Sequence, residues 1–294
     1  MASQSIIAAV AIILLGIFSF DMMGVLVRTL GDQYPVLQMA VFRNLFGIIP
    51  PIILIWRSGI LNKIRPLNTP TMHGLTIIRS ACVAVAQFSF YTALTKMEFA
   101  TATTLVYTSP FLVAALSIPL LGHKVGVWRW GAITVGFGGI VMILKPFGGS
   151  FSPYMLLPIL AALGYAVSSV LIRRYPDDAS SSGIQVTQQL YTMLITVILL
   201  FLVAEPLPIA SATDAGILLL MGIFGGTGVL CLIISYRLAP PSVIAPFEYF
   251  GLPIAFGLGW FFFQEMPFDS LFPGVLLIVG AGITVILRER YHQR

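Results

Sequence analysis

Apolar runs of about twenty residues recur along the whole chain, separated by short clusters of polar, charged, Gly and Pro positions. A bilayer core of about 30 Å is crossed by roughly 20 residues of α-helix at 1.5 Å per residue, so each run predicts one spanning helix. Ten are predicted: Ser5–Val27, Pro35–Trp56, Gly74–Thr95, Ala100–Leu121, Val127–Leu144, Pro153–Ile172, Ile184–Ala204, Ala215–Tyr236, Ser242–Phe263 and Ser270–Leu287. The fold class is therefore all-α integral membrane, with ten transmembrane helices. Only "RSGILNKIRPLNTPTMH" and "RRYPDDASSSG" are long enough to be real loops, which leaves no room for a soluble domain. The opening run, "MASQSIIAAVAIILLGIFSF", lacks a basic n-region and a small-residue cleavage site, so it predicts a first span that is kept.

Composition agrees. Of 294 residues 58% are hydrophobic and 9% charged, with a mean hydropathy of +0.97. Soluble domains are about a quarter charged, so this chain has too little polar surface to be one. The net charge of +5 does not indicate nucleic acid as a partner, because cytoplasmic loops of membrane proteins carry excess Lys and Arg. With the N- and C-termini in the cytoplasm, eleven basic residues fall on the inner side (Arg57, Lys63 and Arg65 among them) and three outside: Arg28, Lys96 and Lys145. That bias supports both the orientation and the count, since a miscounted helix would scramble it. Cys82 and Cys231 lie in apolar runs without CxxC or Cys/His spacing, and read as buried thiols.

The two halves echo each other. "FSFDMMGVLVR" (18–28) matches "LGYAVSSVLIR" (163–173) at an offset of 145. "TSPFLVAAL" (108–116) meets "GLPIAFGLG" (251–259) at an offset of 143, which sets Pro110 on Pro253. "GFGGIVMIL" (136–144) meets "VGAGITVIL" (279–287) at the same offset. Residues 1–147 and 148–294 are thus read as two repeats of five helices. Five is odd, so the second must enter the membrane from the opposite face, giving two inverted five-helix repeats, an architecture of secondary transporters.

"VFRNLFG", "IIRSACVAVAQFSFYTALTKMEFATATTLVYTSPFL", "WRWGAITVGFGGIVMILKP" and "APFEYFGLPIAFGLGWFFFQE" occur in that order. As an ordered set they resemble the drug/metabolite transporter superfamily, specifically its ten-helix EamA-type members. The resemblance implies a multi-pass protein of a bacterial-type inner membrane with a central cavity between the repeats. It also implies a small-molecule substrate: relatives include exporters of amino acids and drugs, and importers of S-adenosylmethionine or riboflavin. One departure is "LLGHK", where His123 stands after the fourth helix in place of the family's frequent acid. The matching acid of the second half survives as Glu265, and the position reads as a helix-end cap.

Four charges fall within the predicted spans: Asp21, Arg43, Arg79 and Glu248. Each costs about 2.5–3.5 kcal/mol at a helix centre on insertion scales, so partners or a wet cavity are expected. Depth suggests two pairs. Asp21 and Arg43 both lie roughly 10–12 Å below the outer boundary, and Arg79 and Glu248 about 8–9 Å from the inner one. Arg43 and Arg79 also have a purely structural reading, as donors to backbone carbonyls. A carboxylate at low dielectric can exchange a proton or hold a cationic group, making Asp21 and Glu248 coupling candidates, with protons the candidate ion.

Gln87, Tyr91, Tyr107, Ser109, Tyr165, Ser168, Ser169, Phe247 and Tyr249 are the polar and aromatic residues placed to meet a solute; the rings offer flat faces and the hydroxyls and amides orient it. Most of the 21 Phe and 10 Tyr must instead face lipid or form interfacial belts. Pro110, Pro246 and Pro253 are hinge candidates, since matched interruptions mark the site of inverted-repeat carriers. "GGTG" (225–228) lacks phosphate-loop spacing, and small residues there serve close helix packing. No cofactor and no metal are predicted, and enzyme chemistry finds no residues: His73, His123 and His292 are placed in loops or the tail. A channel would not need two inverted units with matched prolines. The prediction is a secondary transporter, leaning to a heteroaromatic or nucleoside-like solute; assembly is left open between monomer and homodimer.

Overall fold

A computed structural model describes residues 2–58, 67, 69–121, 127–144, 152–176, 179–238, 247–265 and 268–281. The elements are α1 (Ala2–Leu30), α2 (Val36–Phe46), α3 (Ile49–Ser58), α4 (Pro70–Lys96), α5 (Phe99–Val106), α6 (Ser109–Leu121), α7 (Val127–Leu144), α8 (Leu156–Leu171), α9 (Ser181–Val203), α10 (Ala212–Leu238), α11 (Gly251–Phe263) and α12 (Phe268–Leu271). A further helix, α13, runs over 274–281. Among the described residues there is no strand, and six helical segments are long and apolar enough to cross a membrane: Ile7–Leu30, Val36–Arg57, Pro70–Lys96, Pro153–Leu171, Ser181–Val203 and Ala212–Ser235.

The fourth and ninth predicted spans hold shorter helices instead, whereas α7 matches the fifth, and α12 and α13 lie in the described part of the tenth. The fourth is interrupted at Tyr107–Thr108 and the ninth turns at Tyr249–Phe250 before α11 begins. Pro110 and Pro253 follow those interruptions, in the first turns of α6 and α11, where the missing N–H costs little and the fixed φ favours restarting a helix. Local chemistry sets other ends. Thr69 caps α4 by accepting a bond from Met72 N at 3.3 Å, and Ser180 caps α9 by accepting from Gly183 N at 3.0 Å. Gln264, in the left-handed region at φ 56°, ends α11. Pro246, His123 and the last turns of the tenth predicted span lie outside the described residues.

Polarity is arranged inside out relative to a soluble protein. Trp56, Phe201, Leu202, Val203 and Phe261 are exposed, while Asp21, Gln38, Arg43, Asn44, Arg79, Gln87, Gln185 and Gln189 are buried. Lipid removes the cost of the first set and raises the need of the second for partners.

The packing order has a regularity of its own. α1 lies on α10 and α4 on α8; α2 lies on α9 and α10, α4 on α9, α11 on α1 and α5, and α5 and α6 on α8. α7 meets α12 and α13. Exchanging each predicted span of the first half with its counterpart in the second maps this set of neighbours onto itself: first-on-eighth becomes sixth-on-third, and second-on-seventh, fourth-on-ninth and fifth-on-tenth map to themselves. Glycines permit the closest approaches. A Cβ on Gly226 or Gly222 of α10 would strike the backbone at Gly47 in the α2–α3 turn, and one on Gly139 of α7 would lie 2.6 Å from Gly274 O.

Candidate functional site

Arg43 is buried on α2, but its partner is not Asp21. Its Nη1 donates to Asn44 Oδ1 at 2.9 Å and its Nη2 to Gly225 O at 3.2 Å. Asn44 in turn donates to Gln87 Oε1 at 2.9 Å. Tyr91 and Tyr165 stand within electrostatic reach of the guanidinium, and the Tyr91 hydroxyl touches Met23 Sδ at 3.6 Å. Gly225 makes room: a Cβ there would sit 2.7 Å from both Arg43 Nε and Met23 Sδ. Arg43, Gln87, Tyr91 and Tyr165 are thus brought together. The expected Asp21–Arg43 salt bridge is absent because α10 packs on both α1 and α2 and takes the place the pairing required.

Asp21 belongs to a second group. Tyr107, at the α5–α6 interruption, lies within electrostatic reach of the carboxyl groups of Asp21 and Glu248 and of Tyr249. The Tyr107 and Tyr249 rings are 6.2 Å apart between centroids. A Cβ on Gly251 would collide with the Tyr107 hydroxyl, so glycine at the start of α11 lets the phenol cross to that helix. Phe247 packs against Ile13 and Ile17 of α1. Asp21 Oδ2, Tyr249 Oη and, on either side of the interruption, Thr103 Oγ1 and Thr108 Oγ1 are buried without hydrogen-bond partners. An unsatisfied buried polar group costs about 1–3 kcal/mol; atoms in the same state occur elsewhere in the polar interior, at Arg43 Nε, Arg79 Nη1 and the Gln189 amide. Two carboxyl groups, phenols and interrupted backbone suit a proton or an organic cation.

Arg79 stands apart from both groups. Its Nε donates to Ser168 O on α8 at 2.9 Å, and its guanidinium lies 5.1 Å from the Tyr175 ring centroid. No salt bridge joins it to Glu248, because α4 packs on α8 rather than on the ninth span. Two smaller expectations are also corrected. Cys82 is half-exposed, unlike buried Cys231. His73 lies in the first turn of α4, since capping by Thr69 starts that helix before Gly74, and its Nδ1 is 2.9 Å from Tyr191 Oη.

Sequence reasoning missed an ion pair. Arg28, in the last turn of α1, binds Glu265 in a two-pronged contact, Nη1 to Oε2 at 2.7 Å and Nη2 to Oε1. Glu265 Oε2 also accepts from Phe99 N at 2.9 Å, at the start of α5. Glu265 therefore caps a helix, as expected, but one from the other half of the chain. The signal available was opposite charge at the same predicted end of the first and ninth spans.

Relatives and a solved structure extend over the same length. The chain is 24% identical to an S-adenosylmethionine uptake transporter of Rickettsia conorii, covering 98% of this chain and 96% of that one. It is 26% identical to a riboflavin transporter of Rhizobium johnstonii (99% and 95%). It is 25% identical to the pseudopaline exporter CntI of Pseudomonas aeruginosa (95% of each). One crystal structure shares the fold, with a TM-score of 0.67 and 18% identity over 97% of this chain and 98% of that one. The sequence pattern of the EamA-like transporter family matches twice, over residues 7–145 and 152–288, and with the buried polar interior and lipid-suited exterior described above, the chain is a member of the EamA-like transporter family.

Proposed function

We propose that the protein is a secondary transporter that moves a small organic metabolite across a bacterial cytoplasmic membrane by alternating access. Its halves, 1–147 and 148–294, are five-helix units inserted upside down relative to each other, with both termini in the cytoplasm. The observation that supports this reading is that the most extensive helix pairings map onto one another when the halves are exchanged. Ten spans make each unit odd-numbered, and an odd unit repeated in one chain must invert. Interruptions at Tyr107–Thr108 and Tyr249–Phe250 lie at nearly matched places in the two units, where such carriers hold their solute.

The solute is heteroaromatic or nucleoside-like, of the kind represented by riboflavin or S-adenosylmethionine. The phenols of Tyr91 and Tyr165, and those of Tyr107 and Tyr249 beside Asp21, supply flat faces and orienting hydroxyls. The relatives named for S-adenosylmethionine and riboflavin support the same class. A second reading, export of an amino-acid-like compound or a drug, is favoured by the relative that exports pseudopaline. Thermal-shift screening of purified protein against nucleosides, vitamins and amino acids, then vesicle flux for each hit, separates them. Stabilisation by amino acids alone selects the second reading, and no flux for any hit removes both.

Asp21 or Glu248 couples transport to protons or receives a cationic group of the solute. Flux by Asp21→Asn and Glu248→Gln proteins, with and without a pH gradient, tests this. Gradient dependence should fall away in at least one variant; unchanged dependence in both removes the idea.

A further inference from the structure

Arg28 and Glu265 hold together three elements that also surround the Asp21 group. α1 carries Asp21, the α5–α6 interruption carries Tyr107, and the turn before α11 carries Tyr249. At one end of the bundle the end of α1 offers Arg28, the end of α11 leads into Glu265, and the start of α5 offers the Phe99 amide; all three are joined through one carboxylate. Arg28 is seven residues beyond Asp21, about 10 Å along the helix. The left-handed Gln264 turns the chain so that Glu265 folds back, its N–H donating to Gly259 O at 3.2 Å. Arg28 also lies over the Phe263 ring, 4.5 Å from its centroid.

Beside this junction is a cleft of about 500 Å³, lined by Arg28, Thr29, Asp32, Leu94, Thr95 and phenylalanines of α11. Its lining mixes charge, hydroxyl and ring, unlike the mostly apolar groove between α11 and α13. Arg28 and Glu265 are each about one-fifth exposed, so water reaches the pair from this end, while Leu94 in the wall of the cleft is fully buried. The opposite end is built differently in sequence. Arg173 matches Arg28 at the repeat offset of 145, whereas the positions matching Glu265, Gly122 and its neighbour His123, hold no carboxylate.

We propose that Arg28, Glu265 and the Phe99 amide form a breakable gate that closes the path from the outer face to the Asp21–Tyr107–Tyr249 group. The pair is the kind of contact a gate needs. It is charge-assisted and two-pronged, therefore strong and specific, yet near enough to water that its members are solvated when separated. The proposal rests on the transporter reading and orientation given above.

The test uses full-length protein in right-side-out vesicles, with Cys82→Ala, Cys231→Ala and a reporter Leu94→Cys. A membrane-impermeant maleimide is added outside and the labelling rate is measured. Glu265→Gln and Arg28→Gln should each raise the rate about tenfold, in line with loss of a charged hydrogen-bonded pair. The double exchange Arg28→Glu with Glu265→Arg should bring it most of the way back. Unchanged labelling in both single variants, with monodisperse protein, overturns the gate. So does a fall in melting temperature without faster labelling, which would make the pair a plain staple, and so does labelling that accelerates only in inverted vesicles. Labelling needs no solute, so absence of flux for every compound would overturn the carrier reading and leave the gate standing.

Discussion

Arg43 and Asp21 are each 5% exposed, both sit within long apolar runs, and both carry a charge that lipid would penalise. Their surroundings differ. Arg43 has an amide oxygen for one terminal nitrogen and a backbone carbonyl for the other, extended through Asn44 to Gln87, and only its Nε is left without a partner. Asp21 keeps an oxygen with no partner, next to phenol and hydroxyl groups that are also unsatisfied. Equal burial therefore accompanies unequal hydrogen bonding. The first charge is held mostly by the protein's own polar groups and ties α2 to α10. The second is the one proposed above to meet a proton or a cationic solute.

Arg43→Met is the severest way to break this contrast. It removes the charged donor from Gly225 O and from Asn44 Oδ1, which keeps only Gln87 Nε2 at 3.2 Å, and should cost about 3 kcal/mol, read as a lower melting temperature in detergent, with flux falling in step with the folded fraction. A stable, inactive Arg43→Met protein would move Arg43 into the same category as Asp21. Gly225→Ala sharpens the comparison from the other helix. Its methyl would press on Arg43 Nε and Met23 Sδ at 2.7 Å, costing about 2 kcal/mol through overpacking, again seen in thermal unfolding. Asp21→Asn should have the smallest effect on stability, within about 1 kcal/mol of the parent in either direction, while flux is lost. Strong destabilisation by Asp21→Asn would show a strut instead, and the contrast would vanish.

Much of the fold was legible because spanning length is a local property. Helical backbone lies in each predicted window among the described residues, and the matched prolines pointed to the two interruptions. What they marked was the restart of a helix just after a break, not a bend within a continuous one. The candidate site was only partly legible. Gln87, Tyr91 and Tyr165 were chosen for their chemistry and do gather at Arg43; Tyr107, Glu248 and Tyr249 gather near Asp21. Arg79 was grouped with Glu248 by depth, yet depth is one coordinate of three, and α8 is what lies beside it. Arg28 and Glu265 were read singly, one as an outer loop charge and one as a cap, so their junction was invisible.

The amino-acid sequence alone determined that this is a membrane protein of helical runs with an internal echo and a small set of costly buried charges, because apolar length against bilayer thickness needs no knowledge of neighbours. Only the tertiary structure decided which charges meet. Between helices in lipid there is little hydrophobic preference for one partner over another, so adjacency is chosen by close packing at small residues and by hydrogen bonds between positions far apart in the chain. Gly225 facing Arg43, and Glu265 reaching Arg28 and Phe99, are choices of that kind.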